Sequence, residues 1–134
     1  MSFQLDIVTP EKTIFSDQVE DVYLPGSEGE MGVLGGHSAL VAPLQPGELR
    51  YLKNGTIEEL AVGEGFVEVS DNKVSVIIDL AKADAEIDEQ KVQDSLKRAQ
   101  DALAGVDHDT DEMAQLQTLI AKSEAMLKLK RKNR

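Results

Sequence analysis

Residues 3–79 alternate apolar and polar positions in short runs, each stopped by glycine, proline or asparagine. Phe3, Leu5 and Ile7 alternate with Gln4, Asp6 and Val8 until Pro10 ends the run, the period-two pattern of a half-buried strand. Residues 19–24 stop at Pro25-Gly26, Leu40-Val41-Ala42 stops at Pro43, and Pro46-Gly47 opens residues 48–52. Asn54-Gly55 then joins that run to residues 56–62, and this dipeptide predicts a hairpin because a type I′ turn needs positive φ at both positions. Residues 66–69 and 74–78 form a last pair across Asp71-Asn72. Many short strands at this spacing predict an antiparallel β-sandwich or barrel.

After Asp84 the period changes. Glycine and proline nearly vanish, and Val92, Leu96, Ala99 and Leu103 recur at helical spacing behind Asp88, a residue suited to the N-cap. Gly105 stands where a C′ glycine stops a helix. Asp109 with Glu112 three residues on has the form of a capping box, and Met113, Leu116, Ile120 and Leu127 make one stripe of a second helix reaching about Lys130. The short connection predicts an antiparallel helical hairpin. The fold class is therefore α+β: a sandwich over residues 1–84, then a hairpin over 85–134. The seam between the helices is thin, with alanines and Ser123 near it, so the pattern fits a hairpin that opens as well as one permanently closed.

The composition supports one aliphatic core: 41% of residues are hydrophobic, only 4% aromatic, and there is no cysteine or tryptophan. Without cysteine there is no disulfide framework, thiolate metal site or thiol nucleophile. The net charge of −11 disfavours nucleic acid. Lys128, Lys130, Arg131, Lys132 and Arg134 place five positive charges at the end of the chain, so the body before them carries −16. This basic tip is either a solvated tail or a docking element for an acidic surface. The N-terminal residues lack the basic and apolar segments of a signal or transit peptide, and no run approaches the roughly 20 apolar residues of a membrane span.

Catalytic chemistry finds little support. Residues 26–36 hold five glycines together with Glu28 and Glu30, which on a strand would share one face. Glycines surround both and nothing apolar adjoins either carboxyl to bury it, as general acid catalysis requires, so both read as exposed contact residues. His37 and His108 have no second ligand at metal-binding spacing. Asp107, Asp109 and Asp111 imitate the start of a calcium loop, but Glu112 stands where its glycine belongs and Thr118 where its last glutamate belongs. No phosphate-binding glycine loop or nucleophile elbow occurs; Gly63-Glu64-Gly65 enters a strand and reads as a bulge or tight turn.

Leu5-Asp6-Ile7-Val8-Thr9-Pro10-Glu11, the run from Gly26 to Leu34, Gly36-His37-Ser38-Ala39-Leu40 with Pro46-Gly47, and Gly65-Phe66-Val67-Glu68-Val69 with Asn72-Lys73-Val74-Ser75-Val76 occur in this order. Together with the acidic-to-basic hairpin, they make the chain resemble the epsilon subunit of the bacterial and chloroplast rotary ATP synthase. The resemblance covers essentially the whole chain. It implies a non-catalytic central-stalk subunit that couples the gamma shaft to the c-ring and inhibits ATP hydrolysis through its C-terminal helices. By resemblance, Glu28, Gly29, Glu30 and Met31 face the c-ring, and His37, Ser38, Ala39 and Leu40 lie against gamma. The five basic residues of the tip then meet acidic loops of the alpha and beta subunits. The implied location is peripheral, on the cytoplasmic face of the bacterial inner membrane or the stromal side of a thylakoid.

Some members of that family hold regulatory ATP through an Ile-Asp-x-x-Arg-Ala motif at the start of the first helix. Here Ile87-Asp88-Glu89-Gln90 continues as Lys91-Val92. Lysine lacks arginine's bidentate fork, so the resemblance implies no resident cofactor; Ile87, Asp88 and Lys91 are the positions ATP would use. Taken without the resemblance, the residues also allow a free-standing sandwich that binds a ligand, with a helical dimerisation arm.

Overall fold

The computed structural model describes residues 2–34 and 38–133; His37 and Arg134, both singled out by sequence, lie outside them. Among the described residues ten strands precede two helices: β1 (Phe3–Val8), β2 (Thr13–Val19), β3 (Asp21–Gly26), β4 (Gly29–Leu34), β5 (Leu40–Leu44), β6 (Gly47–Lys53), β7 (Thr56–Val62), β8 (Gly65–Ser70), β9 (Lys73–Ile78) and β10 (Ala81–Ala83). A 3-10 turn, Asp84–Glu86, leads to α1 (Glu89–Leu103) and α2 (Asp111–Lys132).

The strands run in the order β10-β7-β6-β3-β5-β8-β9-β1-β2, with β4 branching from β3. All pairs are antiparallel except β1 with β9. A single pairing, Gly26 with Leu44, carries the sheet from β3 to β5, so the ribbon bends there and its two halves face each other. At the far side β2 returns to β6. The Phe15 and Tyr51 rings meet at 4.4 Å, and Lys53 binds Asp17 at 2.6 Å. Alternation does the rest: Phe3, Leu5 and Ile7 point inward against Val67, Val74, Val76, Leu49 and Val62, all part of one core.

The predicted hairpin is present, with Asn54 at φ 52° and Gly55 at φ 79° and Lys53 paired to Thr56. Strands β2 and β10 escape the sequence pattern, and Pro25 and Pro43 lie within β3 and β5 instead of ending them. Gly63-Glu64-Gly65 is a close approach of two chain segments. The amide of Gly63 donates to the Leu80 carbonyl at 2.9 Å and that of Asp79 to the Glu64 carbonyl at 3.1 Å.

Asp88 caps α1 as expected, its carboxylate accepting from the Lys91 amide at 3.1 Å. Ile87 and Val92 share one apolar cluster, the staple that fixes the entry angle of a helix. One cap assignment needs correction. Asp109 is not the cap of α2: it takes the left-handed conformation (φ 61°) inside the turn. Thr110 caps instead, accepting from the Met113 amide at 3.1 Å and donating to the Asp107 carbonyl at 3.0 Å. Gly105 follows the Ala104 C-cap at the expected C′ position without taking a left-handed conformation, its amide donating to the Ala102 carbonyl at 3.1 Å. Arg131 near the end of α2 meets Glu89 at the start of α1, which makes the helices antiparallel.

Candidate functional site

Three surfaces stand out, and the sheet positions all of them. The first is the β3–β4 tip. Gly26 pairs with Gly29 around Ser27-Glu28, and Gly29 sits at φ +123°, where an L side chain is strained. At Gly32 a Cβ would lie 2.8 Å from the Tyr23 ring. The two carboxylates do not share a strand face, because Glu28 is in the turn and Glu30 on β4. Both are exposed, but Arg50 grips Glu30 bidentately at 2.8 and 3.3 Å, and its guanidinium lies 4.5 Å from the centre of the Tyr23 ring. Glu28, Gly29, Glu30 and Met31 border an open concavity of about 420 Å³ whose other wall is Val41, Ala42 and Pro43.

The second surface is the outer face of β5, β8, β9 and β1. Register places Pro43 beside Phe66, Phe66 beside Ile77, and Ile77 beside Val8. These four form an apolar row across the strands. Val41, one outward step along β5, is 71% exposed, and Phe66 is 40% exposed. The neighbouring row carries Glu68, Ser75 and Asp6. The Asp6 carboxyl is held below its ordinary range, first by the Ser16 hydroxyl and then by the Gln4 amide. Of the partner-facing residues the sequence nominated, Ser38 and Ala39 are exposed and Leu40 packs partly into the core. Val41, Pro43 and Phe66 were missed. The signal was available: Val67 and Val69 are inward, so Phe66 occupies the same phase as Glu68.

The third surface is the end of α2. Of its described basic residues, Lys130 and Lys132 close onto the sandwich. Lys132 binds Glu48 at 2.7 Å and also binds Glu59. Lys130 donates to the Asp84 carbonyl at 3.1 Å, and Arg131 meets Glu89 at 3.2 Å. Lys128 is exposed. Farther up the helix Lys122 binds one Asp79 oxygen at 2.6 Å, while the other accepts from the Glu64 amide. Between these ion pairs Leu129, 1% exposed, packs with Ala61 and Ile87. The tip and the apolar row thus adjoin at Val41 and Pro43, while the docked helix end is built from other residues. Ile87 is buried in the docking cluster and the Asp88 carboxylate is engaged as a cap, while Lys91 is exposed.

The Lys132 ammonium holds Glu59 below its ordinary 4.5, with Glu48 as a second cause. Glu48 and Glu59 in turn hold Lys132 above 10.5. A depressed carboxylate contributes fully above its unpaired pKa and loses that contribution as pH falls through its docked value. A raised lysine loses its contribution only as pH rises through the raised value. Docking of α2 is therefore expected to be flat across neutrality and to weaken on the acid side of 4.5. Hydrogen exchange of the α2 amides against pH, corrected for intrinsic rates, checks this.

Fold and surfaces define a docking module: a rigid sandwich with an apolar face and an acidic tip, carrying a helical arm. Comparison with known proteins specifies it further. The sequence profile described as "ATP synthase, Delta/Epsilon chain, beta-sandwich domain" matches residues 2–84. The ATP synthase epsilon chain of Gloeobacter violaceus is 38% identical over 128 residues, covering 96% of each chain. That of Anaeromyxobacter sp. strain K is 43% identical over 103 residues, 77% of this chain and 78% of the relative. Among solved structures, a chain of the Euglena gracilis mitochondrial ATP synthase (OSCP/F1/c-ring, rotational state 1) superimposes with a TM-score of 0.80 at 26% identity. The match covers 93% of this chain and 79% of that one. A chain from the Tetrahymena thermophila central stalk and c-ring shares the fold, with a TM-score of 0.56 at 17% identity over 97% and 94% of the two chains.

The chain belongs to the ATP synthase delta/epsilon family. It is a non-catalytic subunit of the ATP synthase. No helix among the described residues is long and apolar enough to cross a membrane.

Proposed function

We propose that this chain is the central-stalk subunit that joins the gamma shaft to the c-ring of a proton-driven ATP synthase, and that its hairpin restrains ATP hydrolysis. The apolar row Pro43-Phe66-Ile77 with Val41 carries the reading, because an exposed aromatic and aliphatic stripe on a rigid sheet is what a permanent partner covers. Gamma seats on that face, continuing into Ser38 and Ala39. The tip at Glu28–Met31 meets the c-ring. Residues 1–84 bind the rotor and residues 85–134 regulate. When the hairpin leaves the sandwich, Lys128, Lys130, Arg131, Lys132 and Arg134 become available to acidic loops of the alpha and beta subunits. The chain then works peripherally at the cytoplasmic face of a bacterial membrane. At the start of α1, Ile87 and Asp88 serve as staple and cap, without a resident nucleotide.

Phe66→Glu in the full chain tests the gamma face. A buried aromatic anchor is worth about 2 kcal/mol or more, so affinity for a gamma-containing stalk should fall roughly thirtyfold with an unchanged thermal midpoint. Unchanged affinity would remove the apolar row as the docking face.

A further inference from the structure

The tip and the docked helix end are connected by charge. Arg50 and Glu59 are direct register partners on β6 and β7, so their Cβ atoms stand about 5 Å apart. Glu48 lies two residues from Arg50 along β6, on the same outward face. Two adjacent carboxylates thus have two cations within reach. Lys132 holds both of them, while Arg50 is turned the other way, toward Glu30 and the Tyr23 ring.

We propose that Arg50 is an exchange cation coupling the β3–β4 tip to hairpin docking: when Glu30 is engaged elsewhere, Arg50 turns to Glu59 and Glu48 and displaces Lys132. The inference rests on the hairpin acting as a mobile arm. Glu30 is the most exposed member of the chain of charges, at 54% against 35% for Arg50, 20% for Glu48 and 22% for Glu59. A cationic group on whatever meets the tip therefore reaches Glu30 first. Once released, the guanidinium needs only a rotamer change to face its β7 neighbour. There it takes hydrogen-bonding lone pairs from Lys132 and adds a like charge beside it. Linkage makes the effect reciprocal: departure of Lys132 leaves Glu48 and Glu59 to draw Arg50, which frees Glu30 for a partner.

The test follows hydrogen exchange of the C-terminal α2 amides in the full chain, with circular dichroism confirming that each variant folds. Glu30→Gln should raise the open fraction about two- to fivefold, the range set by exposed ion pairs, and the increase should shrink in high salt. Arg50→Gln should leave docking as in the parent, and adding it to Glu30→Gln should restore docking, because no competing cation remains. A merely structural role for the Glu30–Arg50 pair would instead make the double variant at least as open as Glu30→Gln. That outcome, or no effect of Glu30→Gln, overturns the exchange. Lys132→Gln separates the two ideas. If it opens the hairpin and Glu30→Gln does not, only the exchange fails; if it too leaves exchange unchanged, the mobile-arm reading falls with it.

Discussion

Replacing Gly65 with alanine should cost the sandwich about 3–5 kcal/mol, enough to lower its thermal midpoint by roughly 15–30 °C. A Cβ at this position would stand 1.9 Å from the Ile77 carbonyl oxygen and 2.9 Å from the Ile77 carbonyl carbon and the Ile78 Cα. All three atoms are backbone of the paired strand β9, where Gly65 faces Ile78. No rotamer change relieves the clash; the strands must separate at the start of β8. That separation would disturb Val67 and Val76, which pair directly and are fully buried. Gly63 makes a useful control, because its added Cβ would meet the Asp79 carboxylate at 2.0 Å, the end of a side chain with room to turn away. Gly63→Ala should therefore cost less while loosening the grip of Asp79 on Lys122. Thermal melts of the two variants decide the point, and equal midpoints would contradict the backbone-clash account.

Leu129→Ala should act at the other level of organisation. Leu129 is 1% exposed and fills the small cluster of Ala61 and Ile87, with Val92 and Met126 beside it. Truncating a buried leucine costs about 2–5 kcal/mol. Among the described residues the main core runs from Phe3 to Ala83, so the loss falls on docking and not on the sandwich. Even the lower half of that range shifts the balance of closed to open hairpin by roughly thirty- to three-hundredfold. Fast exchange in α1 and α2 with the β1, β8 and β9 amides still protected is the expected pattern. Exchange rising equally in the sandwich would show that the hairpin and sandwich open as one unit.

The order of these effects reflects what the chain encodes locally. The Asn54-Gly55 turn, the inward face of β1 and the Asp88 cap follow from a few neighbouring residues and were legible. Strand β2 was not, because its burial breaks the alternation: Ile14 and Phe15 are both half-buried in succession, and a register shift at Ile7/Val8 accompanies the irregular start. Strand β10 is only three residues long, too short to show a period. The α2 cap turned on one backbone angle: with Asp109 left-handed, Thr110 is the residue positioned to receive the Met113 amide.

The site was legible in its composition but not in its pairings. The basic cluster was evident, yet Lys132 meets Glu48 and Glu59 across 84 and 73 residues of sequence, a distance that charge patterning along a chain does not span. The same holds for Arg50 and Glu30. Leu129 also escaped the helical stripe, because it stands two residues from Leu127, out of phase with that stripe, and packs with Ala61 and Ile87. Phe66, by contrast, could have been found: an aromatic at the outward phase of a strand is a question the pattern itself poses.

The measurement that tests the account most directly is ATPase activity of a reconstituted catalytic head, first with the full chain and then with a chain ending after Asp84, binding being followed in parallel. The account predicts that both chains bind, that the full chain lowers hydrolysis, and that truncation relieves the inhibition. Equal activity with both chains bound would contradict the regulatory role of the hairpin, and failure of either chain to bind would contradict the central-stalk assignment itself.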